Sequence, residues 1–439
     1  MKFETLDLAL PLQQAVAACG YTQLTKVQQA VIPHALANKD LMACAETGTG
    51  KTAAFSLPIL QRLFEQNYSA EQGSVLRALV MTPTRELAIQ VAENIGRYSE
   101  FLPVKTVAVY GGANINPQRK AVQQGVDILV ATPGRLFDLI GQHGLNLETV
   151  THLVIDEADR MLDLGFVKDI ERVKSLVATQ HQTQLYSATY HDNVRKLANK
   201  MLLAPEWINV TTQTTAEKIS QSVYLVDQRR KAEMLSELVG RHNWQQVLVF
   251  VSTKESAEFL LKELKLDGIK AAVFHGDKTQ GARNKALEDF KSGAIRVMVA
   301  TDVAARGLDI QALPLVINFE LPDAAEDYVH RIGRTGRAGL AGQAISFVSP
   351  SDVVQLSEIE GLIEKKLPQK VVAGYEAGAP LPARYRAQPE PLKPKKKVAR
   401  DGKLRSSKNK RSSASQSKPH GRDSAAQKPK RNSPKWAKK

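Results

Sequence analysis

Only two cysteines occur in 439 residues, Cys19 and Cys44, and they form neither a Cys-x-x-Cys pair nor a metal-binding spacing. That excludes a disulfide framework and a cysteine-held zinc; two buried thiols in a reducing compartment are expected. No run of 18 or more apolar residues occurs, so no membrane-spanning helix is expected. The opening MKFETLDLAL lacks a basic stretch followed by an apolar one, the pattern of a secretory signal. A soluble, cytoplasmic protein without a membrane partner is the expectation. Aromatic residues are sparse, at 6%.

Charge is present in excess of one sign. Lys and Arg number 60 against 45 Asp and Glu, a net +15. Residues 384–439 hold 20 of the basic and 3 of the acidic groups, so this stretch carries +17 and the remainder −2. The partner is therefore polyanionic, and the tail is what attracts it non-specifically. Rich in Lys, Ser, Pro, Gln and Asn, residues 384–439 cannot bury enough apolar surface to offset ordering and are expected to be disordered. Tyr385 and Trp436 are their only aromatic residues, so base stacking is not their main device.

Before the tail, 43% hydrophobic residues overall suffice for globular cores. Short apolar runs alternate with helical patterns, as in a parallel sheet with crossover helices. The runs are 41–44, 78–81, 106–110, 128–131, 153–155 and 183–186, then 223–226, 247–251, 271–274, 297–300, 315–319 and 344–348. Between the two sets, 210–220 turns polar and is read as a linker. The expected division is 1–209, linker 210–220, 221–383 and tail 384–439, an α/β chain with two similar domains. The runs 128–132 and 297–301 both end in Val-Ala-Thr and then a loop, a short internal echo.

Ala45-Glu46-Thr47-Gly48-Thr49-Gly50-Lys51-Thr52 follows an apolar strand and opens a helix, the context of a phosphate-binding loop. Gly48 and Gly50 let amides turn towards phosphate oxygens, and the helix N-terminus adds a favourable dipole. Lys51 offers a point charge to the β and γ phosphates, and the Thr52 hydroxyl suits Mg²⁺. Asp156-Glu157-Ala158-Asp159 ends another apolar strand. Asp156 there suits the metal, and Glu157 suits deprotonation of an attacking water. Acidic residues also suit a helix start; the phosphate loop in the same chain favours the metal reading. In 330–337, Arg331, Arg334 and Arg337 recur at three-residue spacing with Gly333 and Gly336 between them, poor material for a core and good for clamping polyphosphate. Arg334 and Arg337 are the candidates for reaching a γ-phosphate from the second half.

At these residues the chain resembles the DEAD-box RNA helicases, with the motifs in the family's order from Phe3 to Arg337. The resemblance implies two tandem RecA-like domains, hydrolysis of ATP with Mg²⁺, and RNA as partner. It assigns adenine to Tyr21 and Gln28, with Phe3 upstream, the ATP ribose to Asp309, and coupling of hydrolysis to unwinding to Ser187 and Thr189. It assigns RNA contacts to Pro83, Thr84, Arg85, Gly112, Thr132, Pro133, Gly134 and Arg135 in the first half. In the second half it assigns them to Thr253, His275, Gly276, Thr301 and Arg306, beside Gln280 and Arg283. Loops rich in Gly, Thr and Arg suit backbone and 2′-OH contacts with little sequence preference. Glu46, Leu24, Lys26 and Tyr190 depart from the usual family residues, and none removes a catalytic group. The stretches 156–166, 243–250 and 280–283 look most like the bacterial RhlE type.

The resemblance further implies a monomer that separates short duplexes locally, or remodels RNA–protein complexes, by closing on ATP and RNA. Its tail would tether RNA, ribosomal particles or RNA-decay machinery. A clamp or annealer using the same site, a scaffold and a DNA helicase are the alternatives, distinguished by ATP turnover with RNA or DNA.

Overall fold

The computed structural model describes residues 2–46, 48–66, 75–210, 219–305, 310, 313–336 and 342–376. Thr47, Arg306, Asp309, Arg337, most of the expected linker and the whole expected tail lie outside the described residues. The chain divides into two units, Met1–Pro389 and Glu390–Lys439, the second lying wholly outside them.

The first half runs α1 (Leu10–Ala18), α2 (Lys26–Leu36), β1 (Leu41–Cys44), α3 (Lys51–Glu65), β2 (Ala78–Met81), α4 (Arg85–Tyr98), β3 (Thr106–Val109), α5 (Ile115–Gln123), β4 (Ile128–Ala131), α6 (Pro133–His143), β5 (His152–Ile155), α7 (Ala158–Asp163), α8 (Val167–Lys174), β6 (Gln182–Ser187), α9 (Asp192–Met201) and β7 (Glu206–Asn209). The second runs β8 (Ile219–Leu225), α10 (Lys231–Arg241), β9 (Val247–Val251), α11 (Lys254–Leu266), β10 (Ala271–Phe274), α12 (Gln280–Lys291), β11 (Val297–Thr301), α13 (Asp302–Ala305), β12 (Leu315–Asn318), α14 (Ala325–Ile332), β13 (Gly342–Val348), α15 (Val353–Leu362) and β14 (Gln369–Val371).

Each half forms one parallel seven-stranded sheet, ordered β3-β4-β2-β5-β6-β1-β7 and β10-β11-β9-β12-β13-β8-β14. Counted within its own half, the second order repeats the first strand for strand. The strands of the internal echo, β4 and β11, hold the same place in the two sheets. The duplicated architecture is therefore real, and two tandem RecA-like domains describe it.

Both faces of each sheet are covered by helices, so inner strands such as β1, β2, β4 and β9 are apolar throughout rather than alternating. In β1, Leu41 and Ala43 pack with α1–α4, while Met42 packs with the opposite layer. In β9, Val247, Val249 and Val251 face one core, and Leu248 and Phe250 the other. Local chemistry sets several helix starts. Thr25 and Gln28 form a reciprocal capping box at α2. Pro133 opens α6, and Gly144 at φ 65° closes it.

The twelve expected runs all fall on strands, but β7 and β14 were not among them. Both are edge strands with one neighbour each; β14 is exposed throughout, and β7 buries only Ile208. With so little covered, their residues need no apolar pattern. β8 begins at Ile219, ahead of the expected 223. Its polar Gln221 hides the strand in the sequence yet is buried, accepting from the Tyr328 hydroxyl at 2.8 Å. Cys44 is buried as expected, and burial pushes its thiol up to about 11; Cys19 is only half-buried.

The expected chemical loops leave the C-terminal ends of these strands, where ligands of open parallel sheets bind. The opposite ends are held differently. Arg77, entering β2, donates to Asp127, entering β4, at 2.7 Å, and both are buried. Asp127 also accepts from the Lys105 amide at 2.9 Å. Replacing Arg77 by Met is expected to cost about 3–5 kcal/mol in chemical denaturation, because a buried carboxylate loses its partner. Adding Asp127→Leu should recover most of it. Equal loss in the single and double variants would show that the pair is not the cause.

Candidate active site

β1 delivers the phosphate loop. The Ala45 amide continues the ladder by donating to the Ser187 carbonyl at 3.0 Å, after which the chain leaves the sheet. Gly48 and Gly50 adopt φ of 82° and 95°, and Gly50 caps α3. A Cβ at Gly50 would stand 2.5 Å from Gln28 Nε2. The close approach is used: Gln28 Nε2 donates to the Gly50 carbonyl at 3.2 Å, while Gln28 Oε1 accepts from the Thr25 amide at 2.9 Å. Thus Gln28 ties the start of α2 to the loop. Lys51 is buried and donates to the Ala45 carbonyl at 2.7 Å; Thr49 donates to Glu46 O at 2.5 Å. Thr52 lies on the first turn of α3. Tyr21 stacks on Phe3, with ring centroids 6.0 Å apart, and its hydroxyl meets that of Tyr98 at 3.4 Å.

The carboxylates gather at the end of β5. Asp156 is buried, and burial raises its carboxyl to about 7 despite the nearby Lys51; the charge of Glu157 adds to the rise. Glu157 sits in the left-handed region at φ 52°, an uncommon backbone for a side-chain-bearing residue. Its carboxylate is held by Arg160 Nη1 at 2.8 Å. Asp159, quoted in the motif but absent from the expected site, is the hub. Its Oδ2 accepts from the Ala188 amide, the Thr189 amide and the Thr189 hydroxyl, each at 3.0 Å. Burial alone would raise Asp159. His330, Lys51 and the Ser187 hydroxyl more than offset it and hold the group below its ordinary value. Ser187 and Thr189, expected to couple hydrolysis to unwinding, are thus wired to the carboxylate cluster by side chain and backbone together.

His330 belongs to α14 in the second half and lines the same cavity as Asp159, so its charge acts on this carboxylate from across the junction. Arg160 Nη2 also donates across to the Val303 carbonyl at 3.4 Å. A cavity of about 930 Å³ opens beside this contact, with Asp159, Thr189 and Lys196 on one wall and Thr301, Asp323 and His330 on the other. Of the arginines in 330–337, Arg334 is buried in the turn after α14. Arg331 does not join a phosphate clamp. It is core: Nε and Nη2 grip Asp302 at 2.6 Å each, and Nη1 donates to the Glu320 carbonyl at 2.6 Å. A fork matched to a carboxylate satisfies a guanidinium that burial would otherwise penalise.

Several residues assigned to RNA hold their own loops. Thr84 caps α4 by accepting from the Leu87 amide at 3.4 Å, and Thr253 caps α11 through the Ser256 amide at 3.0 Å. Thr132 accepts from the Gly111 amide at 3.3 Å, and Arg135 donates to Ala113 O at 2.8 Å. These two bonds hold Gly111 and Ala113 on either side of Gly112, while Pro133 and Gly134 form the first turn of α6. Buried His275, next to Gly276, meets Glu258 at 3.0 Å, and Thr301 ends β11. Arg85 lies over Gly112 and donates to Gln280 at 3.1 Å. Beside it, Glu86 accepts from Arg283 at 3.0 Å and Gln280 at 3.2 Å, a second junction between the halves. Glu86 was not foreseen; its signal was its place next to Arg85 in a loop already suspected.

The family model for DEAD/DEAH box helicases matches residues 25–197, and the model for the helicase conserved C-terminal domain matches 230–339. The chain is 42% identical over 366 residues to the DEAD-box ATP-dependent RNA helicase CshA of Bacillus cereus, covering 83% of this chain and 69% of that protein. The chain belongs to the DEAD-box ATP-dependent RNA helicase family. It is 41% identical to CshA of Geobacillus kaustophilus, covering 83% of this DEAD-box chain and 77% of that one. Among solved structures it resembles S. cerevisiae Dbp5 bound to RNA and ADP BeF3, with TM-score 0.75, 31% identity and coverage of 84% and 95%. It also resembles Mss116p bound to ssRNA and AMP-PNP, with TM-score 0.76, 28% identity and coverage of 85% and 80%. As a DEAD-box helicase it is an ATP-hydrolysing enzyme. The relatives named here carry the CshA name, so the RhlE likeness rests on the three motif stretches alone. Among the described residues no helix is long and apolar enough to cross a membrane.

The raised Asp156 carboxyl makes a thermal prediction. Its folded value of about 7 exceeds the ordinary 3.8, so the stability it lends is complete at low pH and is lost as pH rises through about 7. Asp156→Asn should therefore abolish this part of the pH dependence and raise the Tm of the unliganded helicase at about pH 8 by a few degrees. An unchanged Tm across the same pH range would mean that the ionised carboxylate is compensated in place.

Proposed function

We propose that this helicase separates short RNA duplexes locally, or remodels RNA–protein complexes, by closing its two halves on ATP and RNA together. The observation that carries this reading is the Asp159 carboxylate, which takes the Ala188 and Thr189 amides and the Thr189 hydroxyl from its own half and shares a cavity with His330 of the other. A nucleotide that disturbs this cluster is felt at the junction of the halves. Because ATP and RNA each favour the closed arrangement, each favours the other's binding.

The roles follow from the chemistry of each group. Gly48 to Thr52 offer amides and the Lys51 ammonium to the phosphates. Leaving the Ala45 carbonyl for a phosphate oxygen is a favourable exchange for Lys51. Gln28 keeps one N–H and one lone pair for adenine after its bonds to Gly50 and Thr25, beside Tyr21; Asp309 serves the ribose. The residues fit Mg²⁺: Asp156 is a buried hard oxygen donor whose carboxyl is pushed up because burial outweighs the positive charge near it, and Thr52 adds a hydroxyl. Bound Mg²⁺ supplies charge neutralisation to the phosphates. Glu157 takes the proton of the attacking water, and Arg160 holds its carboxylate in place beforehand. Arg334 and Arg337 balance the charge that develops on the γ-phosphate.

Arg85, the loops at Gly112 and 132–135, and Thr253, His275, Gly276, Thr301 and Arg306 serve the RNA, Thr301 from the wall of the cavity beside Asp159. The RNA-bound Dbp5 and Mss116p structures, similar along most of the chain, support this reading. The basic tail tethers RNA, and ribosomal particles or decay machinery are the polyanionic assemblies it suits; its affinity falls steeply with salt. The protein acts as a cytoplasmic monomer, nearest the RhlE type in its motif stretches.

The test is steady-state ATP hydrolysis with single-stranded RNA, with single-stranded DNA and with neither. RNA alone should stimulate turnover. Equal stimulation by DNA would overturn the substrate. Glu157→Gln should keep ATP binding and lower turnover by about 10²- to 10⁴-fold; retained turnover would remove Glu157 as the base.

A further inference from the structure

We propose that Ile219 is a positioning residue for hydrolysis, seating with Gly342 the turn at 334–336 that carries Arg334. The inference rests on the reading of Arg334 as a phosphate-directed arginine. Nothing in the sequence marks Ile219, which sits at the polar boundary between the halves.

The turn has three walls. Gly336 adopts φ 70°, and a Cβ added there would stand 2.7 Å from Ile219 Cγ1, so the isoleucine lies directly against its backbone. A Cβ added at Gly342 would collide with the Gly336 amide nitrogen and the Thr335 hydroxyl. The third wall is Leu313: its amide donates to the Arg334 carbonyl at 3.1 Å, its own carbonyl accepts from the Thr335 hydroxyl, and the two residues form a parallel bridge. Ile219 and Gly342 are themselves opposite one another in register, as the first residues of β8 and β13. The seat is thus part of the sheet and cannot drift from it.

The same isoleucine supports α14. Ile219 is 2% exposed and packs in one cluster with Tyr328 and Ile332, the apolar face of that helix. On α14 lies His330, which lines the same cavity as Asp159. Ile219 therefore links the cluster beneath the helix to the turn at Gly336, and truncating it loosens the turn. A misplacement of about 1 Å at a reacting centre can cost about 100-fold in rate. The expected signature is a loss of kcat with substrate binding retained.

The experiment compares Ile219→Ala with Ile359→Ala in the full chain. Ile359 is equally buried in the same cluster but stands on α15. Both variants should lose similar thermal stability. Ile219→Ala should lower the kcat of RNA-stimulated ATP hydrolysis about tenfold or more, with KM for ATP and affinity for RNA within about twofold. Ile359→Ala should leave kcat near wild type, and Ile219→Val should lose only about threefold. Equal kcat in the two alanine variants overturns the proposal. Arg334→Ala separates the two layers of the argument. If it keeps full turnover, the arginine reading itself fails; if it loses turnover while Ile219→Ala matches Ile359→Ala, only the seat fails. Should Ile219→Ala not fold, Ile219→Val carries the test against Ile359→Val, with about a threefold loss of kcat expected only for the former and equality overturning the idea.

Discussion

Three carboxylates within four residues, buried at the end of β5, set conditions that the structure around them must meet. Placed together in a low-dielectric site, Asp156, Glu157 and Asp159 repel one another and lose their hydration. Each is answered separately. Arg160 pairs with Glu157, two amides and a hydroxyl surround Asp159, and Lys51 stands near Asp156. Asp156 is left least compensated, which is why its carboxyl lies so high. A site that holds an uncompensated acid is prepared for a cation that arrives with the nucleotide. The arrangement costs stability in the empty enzyme and makes nucleotide binding the relief.

The answer to Asp159 comes partly from the other half of the chain, and that gives closure its physical content. Among the described residues, the hydrogen bonds and ion pairs across the junction include Arg160 to the Val303 carbonyl and Gln280 and Arg283 to Glu86, and the charge of His330 acts on Asp159. Polar contacts can be exchanged for water without exposing a core, so such an interface can open and close reversibly. Glu86 joins the loop that carries Arg85, whereas Asp159 joins the nucleotide loop and the Ser-Ala-Thr turn.

Much of this was legible in the residues. Buried parallel strands must be continuous apolar runs, which is why twelve of them could be placed, and the phosphate loop is recognisable because its glycines, lysine and threonine have few other uses together. The unread parts have common causes. β7 and β14 lie at sheet edges, where half-exposed residues carry no periodic signal, and β8 hides behind a buried Gln221. Arg331 looks like its neighbour Arg334 in sequence, yet Asp302 turns it into core. Thr84 and Thr253 lie in the expected loops, while their hydroxyls are occupied as helix caps.

The sequence by itself determined the two-fold α/β plan, the ATP loop, the acidic quartet and the near-neutral body with its basic end, because each depends on local pattern or composition. Tertiary structure alone decided which carboxylate is the hub, which arginine is tied to Asp302, and what Ile219 and Gly342 support. Those outcomes depend on residues far apart in the chain reaching hydrogen-bond or van der Waals distance. Such distances are set by how two twisted sheets and their helices pack, which no local spacing encodes.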